Sequence, residues 1–145
     1  MVRKLIQIAI PFIWFGAVAA ISFMEAPLKF QAPGITIPLG LGIGRLVFSA
    51  LNKAEIVFAA VFLLSLLGTR SAGRMAAILF ACVAGILLLE TLWLLPVLDA
   101  RAELVINGAE PFSRMHLVYI ACDAAKLILL FCLGIVIARR HISER

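Results

Sequence analysis

Charge is what this sequence has least of. Asp, Glu, Lys and Arg make up 14% of its 145 residues, against about 25% in an ordinary soluble domain. Hydrophobic residues reach 64% and mean hydropathy is +1.13. Such a chain cannot clothe itself in solvated side chains, so a water-soluble globule is excluded and lipid becomes the expected solvent. Cysteine is scarce too. Cys82, Cys122 and Cys132 are odd in number, lack Cys-x-x-Cys spacing and fall within apolar segments. Neither a disulfide framework nor a thiolate metal site follows, and all three are expected to be buried small hydrophobes. Histidine occurs only at His116 and His141. The 13 basic residues outnumber the 8 acidic ones, yet they lie between apolar segments rather than on one solvated face. That argues against nucleic acid as a partner and for anionic lipid near the chain ends.

What is present is a set of four long apolar runs within a single domain, residues 1–145. The first, residues 5–24, is about 20 residues long and so matches one bilayer crossing. Ala17-Val18-Ala19 has the look of a signal-peptide cleavage site, but the apolar run continues through Ile21 and Phe23, so the segment reads as a retained helix. Gln7, Pro11, Trp14, Val18 and Glu25 share one face within about 60° at 100° per residue, which marks the inward side. Residues 25–44 follow as an apolar, Pro/Gly-rich loop: Pro27, Pro33, Pro38, Gly34, Gly40, Gly42 and Gly44 argue against a continuous helix. A second helix is expected over 45–67, entered from Gly40 or Gly42, a third over 75–98 and a fourth over 116–138. His141 falls in a short tail after the last of these. The predicted fold is an all-α integral membrane bundle of four transmembrane helices.

Orientation follows from the distribution of charge. The N-terminus, the 68–74 turn and the C-terminus hold seven Lys or Arg and one acidic residue, whereas the 99–114 connection is net negative. By the positive-inside rule both termini face the cytoplasm, and the expected setting is a bacterial inner membrane.

Ionisable residues inside the apolar runs are the candidate site. His116, Tyr119, Asp123 and Lys126 fall within about 80° of one another on the fourth helix, a polar stripe that neighbouring helices must hide from lipid. Counted along the helices, Glu25, Glu55, Glu90 and Asp123 converge on the outward half of the bundle, where Lys29, Arg45, Lys53 and Lys126 can reach them. Asn52 lies on the same stretch of the second helix. An isolated charge at mid-bilayer costs about 2.5–3.5 kcal/mol even on a lenient scale, so pairing is expected, Asp123 with Lys126 and Glu25 with Lys29. Lys53 can snorkel to the interface instead. Two readings stay open: the pairs lock the helices in register, or they line a small polar pocket that holds or passes an ion, a proton or a polar solute.

Sharper motifs are few. Gly40-Leu-Gly42-Ile-Gly44-Arg45 looks like a phosphate loop opening a helix, but its spacing matches neither dinucleotide nor Walker patterns. A helix N-terminus beside Arg45 could attract an anion; the competing reading is close backbone packing through small residues. No cofactor is predicted. Haem ligated by His116 alone is kept as an alternative. No catalytic residues are nominated, because acids beside bases do not by themselves form an active site.

Several short stretches together give the chain a likeness. Trp14-Phe15-Gly16, Glu25-Ala26-Pro27-Leu28-Lys29-Phe30, Gly44-Arg45-Leu46-Val47-Phe48 and the His116 that begins the last helix resemble the transmembrane-protein-205-like family of small four-helix membrane proteins. The resemblance implies a four-helix membrane domain and brings no catalytic residues with it. The Gly40–Gly44 run and the Asp123–Lys126 pair have no counterpart in its pattern. The leading functional expectation is therefore a non-enzymatic membrane protein that binds or translocates a small polar solute or ion, as a homo-oligomer. An accessory subunit of a larger membrane complex and a haem- or quinone-associated redox protein are the alternatives.

Overall fold

A computed structural model describes residues 2–67, 73–109 and 114–143. The described chain is helical almost throughout, in four rods: α1 (Val2–Gln31), α2 (Ile37–Leu66), α3 (Gly73–Ile106) and α4 (Arg114–Ser143). Each is long and apolar enough to cross a membrane. They pack as an all-α bundle in which α1 touches α2 and α4, and α3 touches α4 and α2. Most of the predicted 68–74 turn, and Pro111 with its neighbours, lie outside the described residues.

The irregular stretch expected over 25–44 is far shorter than its proline and glycine content suggested. Helix α1 runs on through a π-helical segment, Ala19–Glu25, to Gln31, and only Ala32–Thr36 is non-helical. Proline removes one N–H and its ring crowds the carbonyl four residues back. A wider π turn relieves both. The residue before Pro27 bonds five back, Ala26 N–H to the Ile21 carbonyl, and the residue before Pro96 does the same, Leu95 N–H to the Glu90 carbonyl. Pro38 is tolerated for another reason: it falls in the first turn of α2, where no intrahelical donor is needed. Thr36 caps that turn, its Oγ1 accepting from Leu39 N at 3.4 Å. The turn before it needs Gly34 at φ 83°.

Because α2 opens at Ile37, the glycine run lies inside the helix rather than at its start, which removes the phosphate-loop reading. Gly40 and Gly44 are buried and face Phe30 and Lys29. A Cβ at Gly40 would stand 2.2 Å from the Phe30 ring and one at Gly44 would stand 3.1 Å from Lys29 Nζ. Close packing is what these glycines provide.

The third and fourth rods are also longer than the sequence predicts. The connection expected over 99–114 is helical up to Ile106, where Asn107 and Gly108 (φ 100°) turn the chain and Ala109 N bonds back to the Leu104 carbonyl. At the far end α4 continues to Ser143, so His141 belongs to the helix and is buried rather than lying in a tail.

Outward faces are oily, with Leu46, Leu92 and Ile128 among the most exposed residues, as a lipid-facing surface requires. Cys82 and Cys132 are exposed on that surface and Cys122 is half-buried, so the cysteines are not the buried core residues expected. The core itself has two apolar layers: Trp14, Val18, Leu51, Val83, Leu87 and Leu130, and nearer the termini Phe62, Ala76, Leu133 and Ile137. Of the five residues that periodicity placed on the inward face of α1, Gln7, Pro11, Trp14 and Val18 are buried, whereas Glu25, beyond the start of the π-helical segment, is only half-buried. Gln7 Nε2 donates to the Ser65 carbonyl at 2.8 Å, and His141 Nε2 lies 2.8 Å from Gln7 Oε1. Both termini of the described chain therefore stand at one end of the bundle.

Candidate functional site

The apolar core encloses a charged node. Glu55 of α2, Glu90 of α3 and Asp123 and Lys126 of α4 are each no more than 1% exposed. Lys126 Nζ lies 2.8 Å from Glu55 Oε2 and 3.0 Å from Asp123 Oδ1, and it donates to Glu90 Oε2. Helix α1 joins through Trp14, whose Nε1–H donates to Glu55 Oε2 at 2.6 Å. All four helices thus meet at one point. The i,i+3 spacing of Asp123 and Lys126 places both on the inward stripe of α4, which is why one turn supplies an acid and its base.

Three carboxylates face one ammonium, a formal charge of −2. Each carboxylate offers an oxygen within 4.8 Å of the others, the spacing of a metal site. Lys126 Nζ, however, contacts all three, so the ammonium occupies the place where a metal ion would bridge them. Satisfaction is uneven. Glu55 accepts from both Lys126 and Trp14. Glu90 Oε1 and both Asp123 oxygens accept no hydrogen bond from the described residues. A buried carboxylate left in that state costs free energy unless something else meets it.

Asp123 also lines a cavity, with neither of its carboxylate oxygens exposed. A lateral cavity of about 1000 Å³ extends from it toward the end of the bundle formed by the 32–36 loop. Asn52, Thr91 and Tyr119 share its floor, and Phe30, Phe48 and Leu95 are among its walls. The cavity exists because α3 changes partner: Gly73–Leu89 packs on α4, whereas Leu95–Ile106 packs mainly on α2. The π turn Glu90–Leu94 lies between these halves, where the main partner of the rod changes.

The ten candidate residues do not form the single cluster expected. Glu55, Glu90, Asp123 and Lys126 come together at the core. Asn52 Nδ2 donates to Thr91 Oγ1 at 2.8 Å beside them, and Tyr119 is buried with its ring edge-on to Phe48. Glu25 and Lys29 instead pair with each other at 3.3 Å. Arg45 bonds Asp99 at 2.5 and 2.9 Å and Glu103 at 2.5 Å, joining α2 to α3. His116 is exposed in the first turns of α4, at the cavity wall. Helix rise explains the split. Glu25 stands about 16 Å along α1 from Trp14, and Arg45 about 15 Å along α2 from Glu55. The longer rods also move the node to mid-length, with Glu90 next to the midpoint of Gly73–Ile106, rather than into one half.

Trp14 and Thr91 were missed as members of the site. An indole N–H in an apolar segment must find an acceptor, so Trp14 on the inward face carried a usable signal. Thr91 carried none. The two histidines lie 25 residues apart on one helix, about 37 Å, so they cannot share a ligand. No protein-family model, curated protein or solved structure matches the chain.

Proposed function

We propose that this is a non-enzymatic membrane protein that binds, and can pass across the bilayer, a small solute or ion carrying one positive charge, with Asp123 and Glu90 as its seat. The observation that carries the reading is an under-satisfied carboxylate: Asp123 is fully buried, meets Lys126 only through an ion contact at Oδ1, accepts no hydrogen bond from the described residues and lines the cavity. A node of formal charge −2 in a low-dielectric core favours one more positive charge, whether a proton or a cationic solute. Lys126 holds the acids together and Glu55, doubly satisfied, anchors it. The positive termini, on this reading, face the cytoplasm of a bacterial inner membrane, and the cavity opens toward the opposite face. Kinship with the transmembrane-protein-205-like family is part of the same proposal and rests on the short stretches quoted above.

The test uses a reporter the protein already contains. Its two tryptophans are Trp14, in the node, and Trp93, exposed on the outside. In detergent-purified Trp93→Phe protein, Trp14 emission is followed while acid is added, and at fixed pH while sodium, potassium or methylammonium chloride is added. A saturating change is expected, lost in Asp123→Asn protein that still elutes as a folded species. Emission that stays flat in the folded parent under every titrant contradicts the reading and leaves the node as a structural lock.

A further inference from the structure

Asp123 lies at the inner end of a cavity whose walls are oily and aromatic, and the ligand class follows from that combination. Resting on the cation reading above, we propose that the cavity takes a lipophilic organic cation, an ammonium or phosphonium centre on an aromatic or branched alkyl body, with its charge at Asp123.

A strongly hydrated metal ion would have to exchange its water shell for a mostly apolar lining, a few neutral oxygens (Asn52, Thr91, Tyr119) and one carboxylate already in contact with Lys126. An organic cation has little hydration to lose and gains from apolar contact over its whole body. The cavity also has far more room than an inorganic ion needs, about 1000 Å³. Its wall already accommodates a positive charge: Lys29 Nζ sits 5.6 Å from the Phe30 ring centroid and 5.5 Å from that of Phe48. That is cation–π distance.

Basic side chains at the mouth raise the opposite possibility, an anionic amphiphile. Lys29 is paired with Glu25, and Arg45 with Asp99 and Glu103, so these two do not present free positive charge, while exposed Lys53 and half-buried Arg101 also line the cavity. Among the described residues, the lining side chains left without a hydrogen bond are the Ser22 hydroxyl, which is neutral, and Asp123 at the floor, which is acidic. An acyl chain filling the cavity would leave that carboxylate buried against hydrocarbon, the costliest arrangement available to it.

A size-matched pair of ions decides the matter. Tetraphenylphosphonium and tetraphenylborate are titrated separately into detergent-purified full-length Trp93→Phe protein, with binding measured by ion-selective electrode. The expected result is saturable binding of tetraphenylphosphonium, no saturable binding of tetraphenylborate, a loss of at least tenfold in Asp123→Asn and a several-fold loss in Phe48→Ala. The proposal is overturned if the anion binds as well as the cation, or if folded Asp123→Asn binds the cation as tightly as its parent. Should Asp123→Asn fail to fold, unchanged affinity in Phe48→Ala overturns it instead. If tetraphenylphosphonium does not bind while the Trp14 titration persists, the ligand class is wrong and the cation site stands. If both are absent, the cation reading fails as well.

Discussion

At Lys126 a single ammonium holds one carboxylate from α2, one from α3 and one from its own helix. Its removal would leave three buried acids without a counter-charge. Truncating one partner of a buried ion pair costs about 3–5 kcal/mol, so Lys126→Met is expected to be recovered poorly or to melt well below the parent in detergent. Adding Glu55→Gln and Glu90→Gln to that variant should restore much of the loss, which thermal unfolding followed by size-exclusion chromatography can measure. Trp14 has a smaller share. Trp14→Phe keeps the ring and deletes one donor to Glu55, a change of about 1–3 kcal/mol, and should lower the melting temperature without abolishing folding. At this scale the sequence was partly legible. The Asp123–Lys126 spacing announced its pair, and so did Glu25 with Lys29. Nothing in the order of residues assigned Arg45 to Asp99 and Glu103, because that contact depends on α3 continuing eight residues beyond its expected end.

Among the elements, the two π turns matter most. Each ends just ahead of a proline, Pro27 in α1 and Pro96 in α3, and the second lies where α3 passes from packing on α4 to packing on α2, beside the cavity. Proline in the interior of a helix is disfavoured by about 3 kcal/mol relative to alanine. Pro96→Ala should therefore raise thermal stability, yet it should weaken tetraphenylphosphonium binding as α3 straightens toward α4. A gain in stability with affinity unchanged would separate the π turn from the cavity. Contact between α1 and α4 is tested at Gly134, where an added Cβ would stand 2.6 Å from the Phe12 ring. Overpacking of this kind costs about 1–3 kcal/mol, and Gly134→Ala should lower the melting temperature accordingly. These features explain why the helix count could be read from hydropathy but the helix ends could not. Proline and glycine ordinarily stop a helix. Here a wider turn absorbs two of the prolines, and Phe30 and Lys29 pack against two of the glycines.

Taken whole, the molecule is an oily bundle with polar ties at three levels: Gln7 with Ser65 and His141 at the termini, the charged node at mid-length, and Arg45 with Asp99 and Glu103 near the loop end. The middle level alone combines a fully buried charge imbalance with a place on the cavity lining. Composition was enough to place the chain in lipid, and periodicity was enough to find the inward face of α1. The division of the charges into three groups was hidden, because it depends on the distances between residues along full-length rods. The proposed orientation is checked separately: a C-terminal reporter that matures only in the cytoplasm should be active. The central claim is that Asp123 carries an exchangeable positive charge in a buried node. Infrared difference spectroscopy of the detergent-purified protein during an acid titration tests it most directly. The account predicts a carboxylic-acid carbonyl band that grows as acid is added, shrinks when tetraphenylphosphonium binds and is missing in Asp123→Asn. A folded protein with no such band, or with the same band in Asp123→Asn, would contradict it.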